Sequence, residues 1–228
     1  MKLTYYGHSC FSVEAAGKHV LFDPFVTPNP LASAVDVDAI PADYIFLSHA
    51  HFDHVQDVAR IARRTGAKVI GNWEVNAWLN GQGISNTHPM NPGGKWRFDF
   101  GEVRCVTAQH PSSFADGSYG GVAAGYVVRT AEGTFYYSGD TALTLDMQLV
   151  PRWAKPDLAI LPIGDDLTMG VEDAITAAGW LGVSHVVGVH YDTFALIKLD
   201  HQGATAAFER AGLTLHLLGI GSTTNITH

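Results

Sequence analysis

Four side chains that commonly bind metal ions lie close together in the sequence, at His49, His51, Asp53 and His54. They directly follow the apolar stretch 44–47, which is typical of a buried strand. His49 and His51 are two residues apart, so on an extended backbone their side chains point to the same side. Imidazole and carboxylate ligands together suit zinc, manganese or iron, whereas calcium and magnesium favour oxygen alone. A metal site explains this register better than a solvated, histidine-rich turn does.

Three more residues of ligand type each follow an apolar, strand-like segment. His110 follows residues 106–109, Asp140 follows 135–139 and His190 follows 186–189. The end of a strand is a rigid position from which a side chain can be aimed. Each of these residues taken singly is also compatible with a structural role. Their order behind the first cluster favours a shared metal site.

The composition of the 228 residues limits the class of protein. The formal net charge is −8 and no basic cluster is present, which argues against a nucleic-acid partner. No uninterrupted apolar stretch is long enough to span a membrane, and the N-terminus lacks the apolar region of a signal peptide. Cys10 and Cys105 lie in apolar, strand-like settings, which favours reduced core thiols. We therefore expect one cytoplasmic domain over residues 1–228, with a homo-oligomer compatible with its apolar content of 46%.

The pattern along the chain predicts many strands with helices between them. Strand-forming segments bounded by glycine fill the first third, and the spacing of apolar residues predicts a helix from Val55 to a C-cap at Gly66. Further helices are predicted over 73–79, 171–181 and 202–211. We expect an α/β fold in which two sheets pack together under covering helices.

The order of these residues resembles that of the metallo-β-lactamase superfamily, in which H-x-H-x-D-H is followed by a single His, an Asp and a late His. The resemblance extends from the first strand to about His190. It implies a four-layer αββα sandwich with the metal site at one edge of the two sheets. It also implies two divalent ions, zinc or manganese with iron as an alternative, shared among seven ligands. One ion would be held by His49, His51 and His110, the other by Asp53, His54 and His190, and Asp140 would bridge them.

Three further segments are similar to the ascorbate-6-phosphate-lactonase-like group, which includes short metal-dependent hydrolases. These are residues 7–11 (GHSCF), 21–25 (LFDPF) and 162–165 (PIGD). The segment 190–194 (HYDTF) adds to the likeness. The resemblance implies hydrolysis but does not carry a substrate.

The function that follows is metal-dependent hydrolysis of a small ester, lactone or phosphodiester. Two ions about 3.5–4 Å apart would lower the pKa of a water to near neutrality and supply a metal-bound hydroxide. Asp53 and Asp140 are the predicted catalytic residues, Asp53 as a proton-transfer group and Asp140 as the bridge. Replacement of Asp140 is expected to remove one ion and most turnover.

Several other residues are candidates for supporting roles. Asp23 is predicted either to orient a ligating imidazole or to form a turn before Pro24. His8 is predicted to line the pocket, with a structural role as the alternative. Ser112 and Ser113, in the glycine- and hydroxyl-rich loop after His110, and Asp165, in a later loop, are candidates for the pocket wall and rim.

Two other functions stay open at this point. One is a non-catalytic metal-binding or assembly protein that has kept the ligands. The other is a nucleic-acid-processing phosphodiesterase, which the short and acidic chain disfavours. The extent to which the metal site opens onto a cleft discriminates an enzyme from a structural site.

Overall fold

The computed structural model describes residues 1–225, in which two seven-stranded sheets lie face to face. The predicted domain extends to residue 228, and residues 226–228 lie outside the described range. In spatial order, the strands of the first sheet are β14 (Thr223–Asn225), β1 (Lys2–Gly7), β2 (Cys10–Ala15), β3 (Lys18–Phe22), β4 (Tyr44–Phe46), β5 (Lys68–Gly71) and β6 (Thr87–Pro89). Those of the second are β13 (Thr214–His216), β12 (His185–Val189), β11 (Leu158–Pro162), β10 (Gly133–Tyr137), β9 (Ala124–Thr130), β8 (Gly101–Thr107) and β7 (Lys95–Phe98).

Helices cover the outer face of each sheet, which gives the predicted αββα sandwich. Short 3-10 helices also occur at Pro30–Ala32, Val37–Ala39, Leu145–Leu149 and Ala195–Ile197. No helix among residues 1–225 combines the length and apolar character needed to cross a bilayer. The α-helices are α1 (Phe52–Val55), α2 (Val58–Thr65), α3 (Trp73–Gly81), α4 (Val150–Trp153), α5 (Val171–Leu181) and α6 (His201–Arg210).

The inner faces of the two sheets form an aromatic core. Phe22 of β3 stacks on Phe11 of β2, with ring centroids 4.6 Å apart, and meets Tyr137 of β10 edge to face at 5.5 Å. All three rings are fully buried. Offset and edge-to-face contacts of this kind add to the free energy gained from burying the rings. The core therefore fixes the separation and register of the two sheets beneath the site.

Each sheet also packs its outer face against helices. Ile61 of α2 and Leu79 of α3 lie in one buried cluster with Val69 of β5. Ala178 of α5 and Phe208 of α6 lie in another, with the second sheet. β11 is buried along its whole length, because helices cover one face and the first sheet covers the other.

The predicted helix from Val55 to Gly66 is interrupted in the structure. It consists of α1 and α2, separated at Gln56 and Asp57, and Gly66 ends α2 in a left-handed conformation with φ of 72°. The interruption has a long-range cause: the Asp57 carboxylate accepts hydrogen bonds from the backbone N–H groups of Val26 and Thr27. These contacts hold Asp57 at the start of α2, which the local apolar spacing does not reveal.

Strand direction brings the ends of several strands to one edge of the sandwich. β3 and β4 are parallel. β1 runs in the same direction, because β1 and β3 each pair antiparallel with β2. In the second sheet, β10, β11 and β12 are parallel, and β8 shares their direction through the antiparallel β9. The carboxyl ends of these strands therefore lie together, and the predicted ligands follow them.

Candidate metal centre

Each sequence-predicted ligand lies in a segment that begins at this edge. The turn after β4 carries His49 and His51, α1 carries Asp53 and His54, and the other three ligands follow β8, β10 and β12. Because each loop leaves a strand that the aromatic core holds in place, the side chains converge without needing a long ordered loop. The structure brings all seven predicted ligands into one cluster.

A first group consists of three imidazoles, those of His49, His51 and His110. One ring nitrogen from each lies within 4.8 Å of the others. Nε2 of His49 is 2.8 Å from Nδ1 of His51. Three imidazole nitrogens that face a common point are a donor set that suits zinc and its neighbours in the first transition row.

A second group contains Asp53, His54 and His190, together with His8, again with ligand atoms within 4.8 Å of one another. Oδ2 of Asp53 is 3.8 Å from Nε2 of both His54 and His190. Carboxylate and imidazole donors are mixed here, whereas the first group has imidazoles alone. The two groups therefore differ in charge as well as in position.

Asp140 lies between the two groups. Its Oδ2 is 2.9 Å from Nε2 of His190, 3.1 Å from that of His54, 3.8 Å from that of His110 and 4.0 Å from that of His49. One carboxylate oxygen thus faces two imidazoles of each group. This is the position that a carboxylate bridging two ions requires.

Unusual backbone conformations aim the side chains at the cluster. His8, Asp23 and His190 have positive φ angles of 55°, 42° and 57°. Such angles are uncommon outside glycine and cost about 1 kcal/mol or more each, so they persist where the surroundings enforce them. Gly139, with φ of 62°, precedes Asp140, and a Cβ there would lie 2.8 Å from Cβ of Ser48. The approach of Asp140 to the cluster therefore requires glycine at position 139.

Asp23 orients the imidazole of His54. Its carboxylate is fully buried and accepts hydrogen bonds from the backbone N–H of Ser48 at 2.7 Å, the Ser48 hydroxyl at 2.6 Å and the Tyr137 hydroxyl at 2.5 Å. It also accepts from Nδ1 of His54 at 2.8 Å. Because Nδ1 of His54 donates to Asp23, Nε2 is the nitrogen that faces Asp53 and Asp140, and it would hold an ion once that ion has displaced its proton. Of the two roles that the sequence left open for Asp23, this contact supports the orientation of an imidazole rather than a simple turn before Pro24.

Ser48 orients the imidazole of His49 in the same way. Its hydroxyl donates to Asp23, so its oxygen accepts from Nδ1 of His49, which lies 2.9 Å away. The Nε2 lone pair of His49 then faces the first group. Ser48 was not predicted as a site residue, because a serine before a histidine carries no distinguishing signal in the sequence.

His8 supports Asp53 from within the second group. Its Nε2 lies 2.9 Å from Oδ2 of Asp53, and its Nδ1 lies 3.0 Å from Oγ1 of Thr193. An ionised carboxylate only accepts, so Nε2 of His8 carries the proton and Nδ1 accepts from the Thr193 hydroxyl. The backbone carbonyl of His8 also accepts from the N–H of His190 at 3.0 Å. His8 thus connects Asp53 with the segment that carries His190.

The electrostatics of the cluster fit divalent cations. Burial lowers the pKa of His49 well below its usual value and that of His110 to about 4, so both imidazoles are neutral and able to ligate at pH 7. Burial favours a neutral Asp140, but the neighbouring His190 and His54 outweigh it and hold the pKa of its carboxyl well below the usual range. Oδ1 of Asp140 is buried without a hydrogen-bond partner among residues 1–225. With His49 and His110 neutral, divalent cations in the cluster would add positive charge beside the buried Asp53 and Asp140 carboxylates.

The same pKa shifts predict an acid-sensitive metal-free protein. Burial lowers the pKa of His8 to about 4, whereas an unfolded histidine titrates near 6.5. Between these values the unfolded chain binds more protons, so the free energy of unfolding falls on acidification, by about 3 kcal/mol from His8 alone. His54 titrates above this window, because Asp140 and Asp23 raise its pKa against the opposing effect of burial.

Urea unfolding of the chelated protein at pH 7, 5.5 and 4.5 measures this dependence. We expect the unfolding midpoint to fall steadily over the series and to fall less in His8→Asn. A midpoint in the unsubstituted protein that is constant from pH 7 to 4.5 would contradict the assignment of His8 as a neutral, buried donor.

The three loop candidates lie at the periphery of the cluster. The hydroxyl of Ser112 donates to the carbonyl of Gly120 and accepts from the backbone N–H of Ala50, so it supports the turn between His49 and His51. Ser113 pairs with Tyr119 in an isolated bridge within its own loop. Asp165 is exposed and accepts from the N–H of Asp166.

A cleft opens above the cluster. Its volume is about 590 Å³, within the range of small-molecule sites, and its floor includes His51, His110 and His190. Asp166 lines it, whereas Asp165 does not. Apolar residues form much of its wall: Phe52, Pro111, Leu167, Phe194 and Leu196. Pro111 and Leu167 belong to the two loops expected at the wall and rim, whereas the other three were not selected from the sequence.

The family follows from the sequence together with this site. Residues 18–191 match the Beta-lactamase superfamily domain. The chain belongs to the metallo-β-lactamase superfamily. Within the superfamily it is 48% identical over 221 residues to a UPF0173 metal-dependent hydrolase of Flavobacterium johnsoniae, covering 97% of this chain and 98% of the relative. A UPF0173 metal-dependent hydrolase of Methylacidiphilum infernorum is 48% identical over 220 residues, covering 96% and 97%.

Two solved structures share this architecture. Igni18, a metallo hydrolase from the archaeon Ignicoccus hospitalis, is 33% identical, with a TM-score of 0.89 over 100% of this chain and 98% of that one. An isothiocyanate hydrolase from Delia radicum gut bacteria is 23% identical, with a TM-score of 0.82 over 100% of both chains, and shows the same fold. The predicted superfamily and fold are confirmed. The narrower likeness to the ascorbate-6-phosphate-lactonase-like group stays a prediction.

Proposed function

We propose that this metallo-β-lactamase superfamily member hydrolyses a small ester, lactone or phosphodiester at a centre of two divalent ions, zinc or manganese. The position of Asp140 carries the proposal, because one of its oxygens faces imidazoles of both ligand groups. The open cleft above the centre supports catalysis over a closed structural site. His49, His51 and His110 would hold one ion, and Asp53, His54 and His190 the other.

Bound ions would lower the pKa of a water and stabilise the negative charge that develops on the scissile group. Asp53 is placed to take up a proton at the cleft floor. Burial raises the pKa of its carboxyl, but His54 and the hydrogen bond from His8 outweigh that effect and hold it below the usual range. The lowered pKa keeps Asp53 ionised, as a metal ligand must be, and His8 fixes the direction of its carboxylate.

The remaining expectations about partners are part of this proposal. The net charge of −8 supports a small-molecule substrate over nucleic acid. Cys10 and Cys105 are both buried free thiols, as is typical of a reducing compartment, and this supports a cytoplasmic location. A homo-oligomeric state stays a prediction.

Reloading the chelated protein with zinc or manganese tests the proposal. We expect hydrolysis of at least one class in a panel of lactones, carboxylic esters, thioesters and phosphodiesters, and its loss when chelator is present. The position of the bond that breaks follows from the products. The double substitution His49→Ala/His110→Ala is the matched control, since it removes two ligands of one group and leaves the cleft wall intact.

Two ions per chain with no turnover of any class would favour the alternative of a non-catalytic metal-binding protein. Turnover of oligonucleotides in preference to small esters would favour the nucleic-acid phosphodiesterase instead.

A further inference from the structure

The wall of the cleft is made of apolar side chains that remain in contact with solvent. Leu196 is 67% exposed, Leu167 47% and Phe52 46%. They come from three separate segments, namely the 3-10 helix Ala195–Ile197, the loop 163–170 and α1, and they line the same cleft as the metal ligands. A contiguous apolar surface beside a polar centre is typical of a binding site rather than of an ordinary surface.

Ring contacts fix part of this wall in position. Phe25 is buried at 1% exposure, and its ring meets that of Phe52 at 5.6 Å and that of Phe194 at 6.4 Å. Phe194 also meets the ring of His8 edge to face at 5.4 Å. The aromatic wall is thus anchored to the core and to a residue that supports Asp53. A substrate seated on it would lie at a fixed distance from the metal ligands.

The charge of the cleft disfavours substrates with an anionic tail. No lysine or arginine in the described part of the chain lines the cleft, and Asp166 adds a carboxylate to its rim. The amine of Lys198, which follows the wall in sequence, donates to the backbone carbonyl of Asp192 at 2.8 Å. A phosphate or carboxylate away from the reacting bond would therefore meet apolar side chains and Asp166 without a cationic partner.

We infer that the substrate is a neutral carboxylic ester or lactone whose non-reacting part is apolar and lies against Phe52, Leu167, Phe194 and Leu196. The inference rests on the proposed hydrolase function and narrows its substrate class. Hydrolysis adds water across the acyl C–O bond, which releases a carboxylic acid and an alcohol from an ester and opens a lactone to a single hydroxy acid. The product acid would carry its new charge at the ion centre, while its apolar part would remain on the wall.

The hydrolysis of a series of p-nitrophenyl esters by the zinc-loaded protein tests this inference. From acetate to hexanoate we expect kcat/KM to rise at least about tenfold, since each methylene half-buried on an open wall gives about a twofold gain. The adipate half-ester has the length of the hexanoate but ends in a carboxylate. We expect its kcat/KM to be about tenfold below that of the hexanoate, and Asp166→Asn to recover part of the difference.

Substitutions in the wall provide the structural control. Leu167→Ser/Leu196→Ser should reduce the hexanoate-to-acetate ratio to about twofold or less. Leu31→Ser/Leu145→Ser is the matched control, because these leucines are 47% and 71% exposed and do not line the cleft. The control should keep the wild-type ratio.

Binding of neutral amides separates failure of this inference from failure of the proposed function. Hexanamide should bind the zinc-loaded protein at least about tenfold more tightly than acetamide by calorimetry, and the wall variant should abolish the difference. If no ester is hydrolysed but the amides behave in this way, the hydrolase proposal fails and the apolar site stands. If esters are hydrolysed with no gain from chain length, or the half-ester or bis(p-nitrophenyl) phosphate is preferred, the inference is overturned and the hydrolase proposal stands.

Discussion

The Asp140→Ala protein is expected to retain about one zinc ion per chain, and its kcat is expected to fall by more than about 100-fold. This loss exceeds the roughly 10- to 100-fold loss of activity that is typical when a residue that only orients a metal ligand is removed. The reason is the position of Asp140: its Oδ2 faces Nε2 of His54 and His190 within 3.1 Å and those of His49 and His110 within 4.0 Å. The fold should survive, because Asp140 packs at the edge of the sheets and the aromatic core lies below it.

Elemental analysis, steady-state kinetics and circular dichroism on the same preparation check this result. Asp166→Asn is the matched control, since it removes a carboxylate from the same cleft without touching the ligand cluster, and it should retain two ions. An Asp140→Ala protein with full activity would show that no bridging carboxylate is required.

Asp23→Ala is expected to cost about 3–5 kcal/mol of stability in the metal-free protein and to weaken zinc binding about 10- to 100-fold. The buried carboxylate accepts from Ser48, His54 and Tyr137, and its removal leaves all these donors unpaired. The effect on zinc arises separately, because His54 loses the group that fixes its protonated nitrogen and its ring orientation.

Asp57→Ala separates the two effects. Asp57 is also a buried aspartate and accepts from the N–H groups of Val26 and Thr27 and from the Thr27 hydroxyl, but it does not contact the ligand cluster. It should lower the urea midpoint to a similar degree and leave zinc affinity unchanged. If a zinc competition titration gives Asp23→Ala the affinity of the unsubstituted protein, Asp23 is structural only.

The clustering of the seven predicted ligands was predictable because their chemistry is visible in the sequence. Histidine and aspartate at the ends of apolar strands are few, and the resemblance to the metallo-β-lactamase superfamily specified the set. Asp23 was identified as a candidate from its position after a strand. Whether Asp23 orients an imidazole or forms a turn could not be decided from the sequence, because the deciding contact is with His54, which lies 31 residues away.

The cleft wall was not predictable, because an apolar residue in a loop looks the same whether it packs in the core or lines a cleft. Phe52, Leu167 and Leu196 become neighbours only through the packing of three separate segments. The acidic residue at the rim differs from the prediction for a similar reason: Asp165 was predicted, but Asp166 lines the cleft. Asp165 and Asp166 both have positive φ, 63° and 53°, and the turn presents the second of them to the cleft.

The interruption between α1 and α2 has the same origin. Local spacing favours a continuous helix, but Asp57 is held by a loop some thirty residues earlier in the chain. The short α1 that results is stable only in this tertiary context, since one turn of helix does not form alone. It places Asp53 and His54 on the cluster.

Anomalous scattering at the zinc edge, from crystals grown with zinc, tests the central claim of a two-ion centre most directly. The account predicts two peaks about 3.5–4 Å apart, one among His49, His51 and His110 and the other among Asp53, His54 and His190, with Asp140 in contact with both. A single fully occupied peak, with Asp140 bound to no ion or to one alone, would contradict it.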